Sequence, residues 1–272
     1  MYNTIFILGL MTLIFVFIGW FFFGFLGTTI ALILAIIMNL AIYWYSDRVI
    51  IKMSGAKPSD NEEIEKIVSE LSRDAGILVP KIYSIPKDIP NAFATGRNSQ
   101  HAAVVYTKGL LRLNRDEIKA VMAHELMHIS SRHILIGTVA AVVAGAISYL
   151  AQIGYWSLFL GGDERNQSNI IGLILIIVFA PLAALLLRMA ISRKNEFEAD
   201  RRGAILCKDP NALASALRNI DRMSKLKPFQ GGSAATSHLW IVNPFKRDWF
   251  SNLFSTHPPI EERIRVLVRM GS

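Results

Sequence analysis

The chain reads as an α+β protein, mainly helical and built into a membrane, with one small antiparallel sheet in its polar part. Three observations predict this. Apolar runs nearly free of charge extend from Thr4 to Phe23, Thr28 to Tyr45, Ile134 to Leu160 and Asn169 to Ile191. Of the 272 residues, 52% are hydrophobic and only 18% charged, whereas a soluble globule carries about a quarter charged residues. Short segments rich in branched and aromatic residues, broken by Pro80, Pro86, Pro90 and Gly96, lie between two helical patterns in the polar part.

Taken in order, residues 1–48 predict a transmembrane hairpin. Each arm is long enough to cross a hydrocarbon layer of about 30 Å, and Gly24 to Gly27 supplies the turn. Met1-Tyr-Asn carries no Lys or Arg, and a second apolar run follows at once, which argues against a cleaved signal peptide. Tyr43, Trp44 and Tyr45 suit the interface, with Arg48 and Lys52 just beyond. Residues 49–133 form the first part of a polar domain. In it, Ser59-x-x-Glu62 opens a helix to about Asp74 with Ile64, Ile67, Val68 and Leu71 inward, and Gly76 stops it. Strands follow at Ile77 to Val79, Lys81 to Ile85, Ala92 to Thr95 and Ala102 to Thr107. A second helix begins with the capping-box pattern Asn114-x-x-Glu117 and carries Ile118, Val121, Met122, Leu126 and Ile129 at apolar positions.

Residues 134–191 predict a second hydrophobic hairpin, kinked at Pro181, and 192–272 the second part of the polar domain. The loop 161–168 is nearly balanced in charge, while Arg132, Arg188, Arg193 and Lys194 flank the other ends. By the positive-inside rule, both polar parts then face the cytoplasm. The formal charge of +8 fits that orientation, and no basic run with interleaved aromatics points to nucleic acid. The single cysteine, Cys207, cannot form an internal disulfide and reads as a small buried hydrophobe.

The chemistry is carried by His124-Glu-Leu-Met-His128. Histidines four apart on a helix differ by about 40° in direction and can grip one metal ion. Glu125 stands beside them as a proton acceptor, which is the H-E-x-x-H pattern of zinc peptidases. One more protein ligand is needed, and Asn195-Glu-Phe-Glu-Ala-Asp200 offers carboxylates. Glu196 and Asp200 share a helix face and Glu198 points away. Glu196 as ligand with Asp200 orienting an imidazole fits this spacing; so does a solvated acidic helix start. Asn91-Ala-Phe-Ala94 reads first as a plain structural strand; its functional reading is an edge that pairs with extended peptide. His133 suits the membrane boundary beside Arg132, and His101 and His238 have no constellation around them.

The runs Ala120 to Ile129, Ser192 to Arg201 and Ser255-Thr-His-Pro-Pro-Ile-Glu-Glu-Arg-Ile264, together with Asn91 to Ala94, resemble the HtpX family of membrane-bound heat-shock zinc metalloproteases over essentially the full length. The resemblance implies a zincin-type metalloprotease domain with one Zn²⁺ per chain, held by His124, His128 and Glu196. It implies Glu125 as catalytic acid/base, Asp200 as orienting residue, Asn91, Ala92, Phe93 and Ala94 as substrate-binding edge, and a transition-state role for His257. The implied activity is cleavage of unfolded or misassembled membrane proteins at the bilayer, as quality control and stress response, from a cytoplasmic-facing site of the cell membrane. The rival readings are a CAAX-type prenyl endopeptidase, for which four spans are few, and a metal-stabilised adaptor without activity, against which an intact Glu125 argues.

Overall fold

The computed structural model describes residues 2–131, 134–139, 142, 193–226, 241 and 258–271. The second hydrophobic hairpin beyond Val142, Pro181 and the expectations for His133, His238 and His257 lie outside them.

Helix α1 covers Tyr2–Met53 and is broken at Gly24, whose φ of 58° and ψ of −142° are open to glycine alone at low cost. The chain reverses there. A Cβ on Gly19 would run into the Gly27 carbonyl oxygen, so the two arms meet backbone to backbone. Further along, Asn39 Nδ2 donates to Thr12 Oγ1 at 3.0 Å. The turn is thus narrower than the predicted Gly24 to Gly27, because Gly27 belongs to the packed second arm. Phe23–Met53 is, among the described residues, the one helix long and apolar enough to cross a membrane.

The polar part starts with strand β1, Lys57–Pro58, and helix α2, Glu62–Asp74. The N-cap is Asn61, not the predicted Ser59. Asn61 Oδ1 accepts from Ile64 N at 3.0 Å, whereas Ser59 is drawn to the sheet by Ile82 O and by the Tyr106 hydroxyl. Strands β2 (Lys81–Ile85), β3 (Ala92–Gly96) and β4 (Ala102–Thr107) complete a sheet of order β1-β2-β4-β3. Ile77 to Val79 is no strand; Leu78 and Val79 are exposed.

The sheet is mixed, which corrects the antiparallel expectation. β4 pairs parallel to β2, with Lys81 opposite Ala103, and antiparallel to β3, with Phe93 opposite Val105. The reason is the Pro86 to Pro90 connection, which is too long and stiff for a tight hairpin. It carries the chain one strand position outward, and β4 then fills the gap. β3 is consequently an edge strand.

Alternation along β3 and β4 divides the packing. Ala92, Ala94, Val104 and Tyr106 join the main core with α2, while Phe93 and Val105 turn to Ile85 and to Ile50 of α1. Arg97, just past β3, donates to the Trp44 carbonyl at 3.0 Å and stacks over its ring at 4.5 Å, joining α1 to the sheet. Among the described residues four further helices finish the core: α3, Arg115–Ser130; α4, Arg193–Cys207; α5, Pro210–Leu226; and α6, Ile260–Met270.

Candidate metal centre and active site

Helix α3 is anchored at both ends. The predicted capping box forms: Asn114 Oδ1 accepts from Glu117 N at 2.9 Å and Glu117 Oε2 from Asn114 N at 3.2 Å. The other Glu117 oxygen accepts from Ser215 Oγ at 2.6 Å and Asn219 Nδ2 at 2.7 Å, tying the start of α3 to α5. At the far end, Arg202 of α4 donates to Ser131 Oγ at 2.8 Å and Ser130 Oγ at 3.2 Å. His124 and His128 lie between these anchors, so their imidazoles are carried by a fixed rod.

The two Nε2 atoms face each other at 3.1 Å. Glu196 Oε1 lies 3.4 Å from His128 Nε2, and its Oε2 lies 3.9 Å from His124 Nε2. One donor atom from each of the three residues falls within 4.8 Å of the others. Donors about 2.0–2.2 Å from a tetrahedral ion stand roughly 3.3–3.6 Å apart, so this set of two imidazoles and a carboxylate fits one small divalent metal ion.

Asp200, one turn after Glu196, lies with Oδ1 2.9 Å from His124 Nδ1. That contact directs Nε2 toward the centre and raises its basicity. Burial disfavours the imidazolium of His124, but the Asp200 hydrogen bond and charge outweigh it and raise the pKa above the ordinary value. Glu198 is exposed and pairs with Arg202, as its position on the helix predicts.

Sequence reasoning missed Arg263. It is wholly buried, and its guanidinium forks onto Asp200 with Nε to Oδ2 and Nη2 to Oδ1, both at 2.7 Å. Nη1 donates to the Ile241 carbonyl at 3.1 Å and lies 3.4 Å from Glu196 Oε2. Burial alone pushes the Asp200 carboxyl up; the charge and hydrogen bonds of Arg263, with those of His124, outweigh it and hold the pKa at about 2. The signal was present in sequence. Arg263 and Leu267 are one turn apart on α6, so an arginine occupies the stripe that an amphipathic helix reserves for apolar residues.

Glu125 is buried beside His124, and burial pushes its carboxyl to about 7; Glu196 adds to the rise, while His124, Arg263 and a hydrogen bond from Ala94 N–H oppose it. The Ala94 bond brings β3 to the site. Thr107 N donates to Asn91 O at 2.9 Å, so alternation leaves Ala92, Ala94 and Gly96 with their peptide groups on the outer edge. Ala92 O accepts from Ile241 N at 3.1 Å, and Gly96 N donates to Thr138 Oγ1 at 3.1 Å. Among the described residues the Ala94 carbonyl has no partner. Asn91 is buried with Oδ1 accepting from Ala92 N at 3.0 Å, and Phe93 points to the opposite face of the sheet. Cys207 is buried as predicted.

The comparisons with known proteins agree with this geometry. Residues 58–270 match peptidase family M48. The chain is 45% identical to a Protease HtpX homolog of Syntrophotalea carbinolica, covering 98% of each chain. It is 47% identical to one of Pyrococcus abyssi, covering 97% of this chain and 94% of that one. In fold it is similar to S. mikatae Ste24p, with a TM-score of 0.51 at 19% identity, covering 97% of this chain and 63% of the Ste24p chain. By the family match and these identities, the chain belongs to peptidase family M48 and is a metalloprotease of the HtpX kind.

Proposed function

We propose that the chain is a zinc endopeptidase of the membrane, with His124, His128 and Glu196 as metal ligands and Glu125 as the acid/base group. The observation that carries this is the convergence of the three donors within 4.8 Å, with the Glu125 carboxyl buried next to them. Imidazole and carboxylate donors favour zinc among the common divalent ions. A bound metal supplies Lewis acidity, lowering the pKa of water and polarising a carbonyl.

The chain's own groups do the rest. Asp200, itself gripped by Arg263, keeps the His124 ring aimed with Nε2 inward. A peptide laid along the outer edge of β3 offers a backbone N–H to the Ala94 carbonyl, which brings its scissile bond to Glu125. Glu125 takes a proton from the attacking water and returns it to the leaving nitrogen. Burial of the Glu125 carboxyl pushes its pKa up, the direction that lets a carboxyl hold and return a proton. His257 as transition-state stabiliser belongs to the same reading, on the resemblance of the run Ser255 to Ile264 to the family.

The bilayer enters through the α1 hairpin. Phe23, Phe25 and Leu26 are 76%, 87% and 69% exposed, a surface suited to lipid. In this reading residues 1–48 form a transmembrane hairpin, and 49–133 with 192–272 the cytoplasmic catalytic domain, interrupted by the hydrophobic segment 134–191. Basic residues at the ends of the apolar runs support that orientation. An active site beside the bilayer suits substrates that are misfolded or damaged membrane proteins, in a quality-control role.

The test is metal content and cleavage of an unfolded model protein, comparing detergent-purified wild type with Glu125→Gln. Zinc in both and cleavage by wild type alone is expected. A Glu125→Gln enzyme as active as wild type would overturn the assignment.

A further inference from the structure

Helix α4 meets α3 at an unusually short distance, and the meeting point is Gly203. An ideal Cβ built there would stand 2.9 Å from the backbone N of His124, 3.0 Å from its Cα and 3.3 Å from the carbonyl carbon of Ala123. These are backbone atoms in a helix anchored at both ends, so no side chain can swing aside. Gly203 lies seven residues after Glu196 and three after Asp200, and all three are buried on the side of α4 that faces α3. Alanine is the better helix former at an interior position. A glycine held there weakens α4 locally and allows backbone contact one turn beyond the Asp200 to His124 bond.

We infer that Gly203 is a positioning residue for the metal centre: its missing Cβ sets the α3 to α4 spacing at which Glu196 and Asp200 reach the two histidines. A Cβ needs about 3.4 Å or more to such atoms, so alanine drives the helices apart by roughly half an ångström. That is enough to matter at a metal. Ligand distances must hold within about 0.2 Å, and the Asp200 to His124 separation of 2.9 Å would stretch past good hydrogen-bond length.

The inference rests on the metal reading above, and the experiment separates the two. Zinc affinity of full-length, detergent-purified protein is measured by chelator competition for wild type, Gly203→Ala, His124→Ala and Ala216→Gly, a buried position on α5. The cobalt-loaded visible spectrum is recorded for each. Gly203→Ala is expected to weaken zinc binding about 10- to 100-fold, the usual effect of disturbing groups behind metal ligands, and to shift the cobalt bands. Ala216→Gly is expected to lower thermal stability with affinity and spectrum unchanged. Zinc affinity within twofold of wild type and an unaltered cobalt spectrum for Gly203→Ala would overturn the inference and leave the metal reading intact. So would a Gly203→Ala protein that does not fold even with saturating zinc, since that assigns the glycine to packing alone. Wild type binding no more zinc than His124→Ala would instead refute the metal reading, and the inference with it.

Discussion

Replacing Arg263 by glutamine removes the guanidinium that, among the described residues, forks onto Asp200 and approaches Glu196. The guanidinium makes two 2.7 Å bonds to Asp200, a 3.1 Å bond to Ile241 O and a 3.4 Å approach to Glu196, with no exposure to water. Breaking such a pair by removing one partner costs about 3–5 kcal/mol, a large share of the roughly 5–15 kcal/mol that holds a domain together. In a chain of this size that corresponds to a fall in melting temperature of roughly 6–20 °C. The sign of the pH dependence also follows. Asp200 is depressed from 3.8 to about 2 on folding, so its contribution, on the order of 2 kcal/mol, is complete above pH 3.8 and is lost as pH falls through 2. Without Arg263, burial dominates, the carboxyl pKa rises, and acid unfolding moves to higher pH. Thermal and acid unfolding of the detergent-solubilised protein report both effects. Arg263→Lys, which keeps charge but loses the fork, is expected to fall between. An Arg263→Gln protein within about 0.5 kcal/mol of wild type, with the same acid midpoint, would refute this account of the cluster.

Other outcomes follow from the same geometry. Glu125→Gln should keep the metal and the melting temperature while lowering turnover by about 10²- to 10⁴-fold, checked by single-turnover cleavage of a quenched peptide. Glu196→Ala should lose metal during dialysis that leaves wild type loaded, with activity returning only at high added zinc; retained stoichiometric metal would exclude Glu196 as a ligand. Removing metal from wild type with a chelator should lower its thermal stability and abolish cleavage, both restored on adding zinc. Glu117→Ala, two turns before His124 on α3, should destabilise by about 2 kcal/mol or more, since it strips the α3 cap and leaves Ser215 and Asn219 without their shared acceptor. Denaturant unfolding measures it, and a change under 0.5 kcal/mol would count against the α3 to α5 tie.

Much of this protein was written locally. The His124 to His128 spacing, the Asn114 capping box, the Glu196 to Asp200 register and the inward face of α2 depend on helix periodicity, which acts over a few residues. The sequence read them directly. The break at Gly24 was legible for the same reason, since only glycine accepts its backbone angles cheaply. What lay beyond reach was decided by partners distant along the chain. β4 runs parallel to β2 because it inserts between strands that precede it; the prolines from Pro86 to Pro90 disfavour a tight hairpin, but which strand fills the gap is settled by pairing across the sheet. Ser59 gives up the cap to Asn61 because Tyr106 and Ile82 draw it into the sheet. Arg263 looks like a misplaced charge on an apolar stripe until folding sets it against Asp200, 63 positions earlier. Gly203 looks like a weak point in a helix until His124 is found touching it. Periodicity and capping are properties of the chain, but charge compensation and close approach are properties of pairs, and only the tertiary structure brings the pairs together.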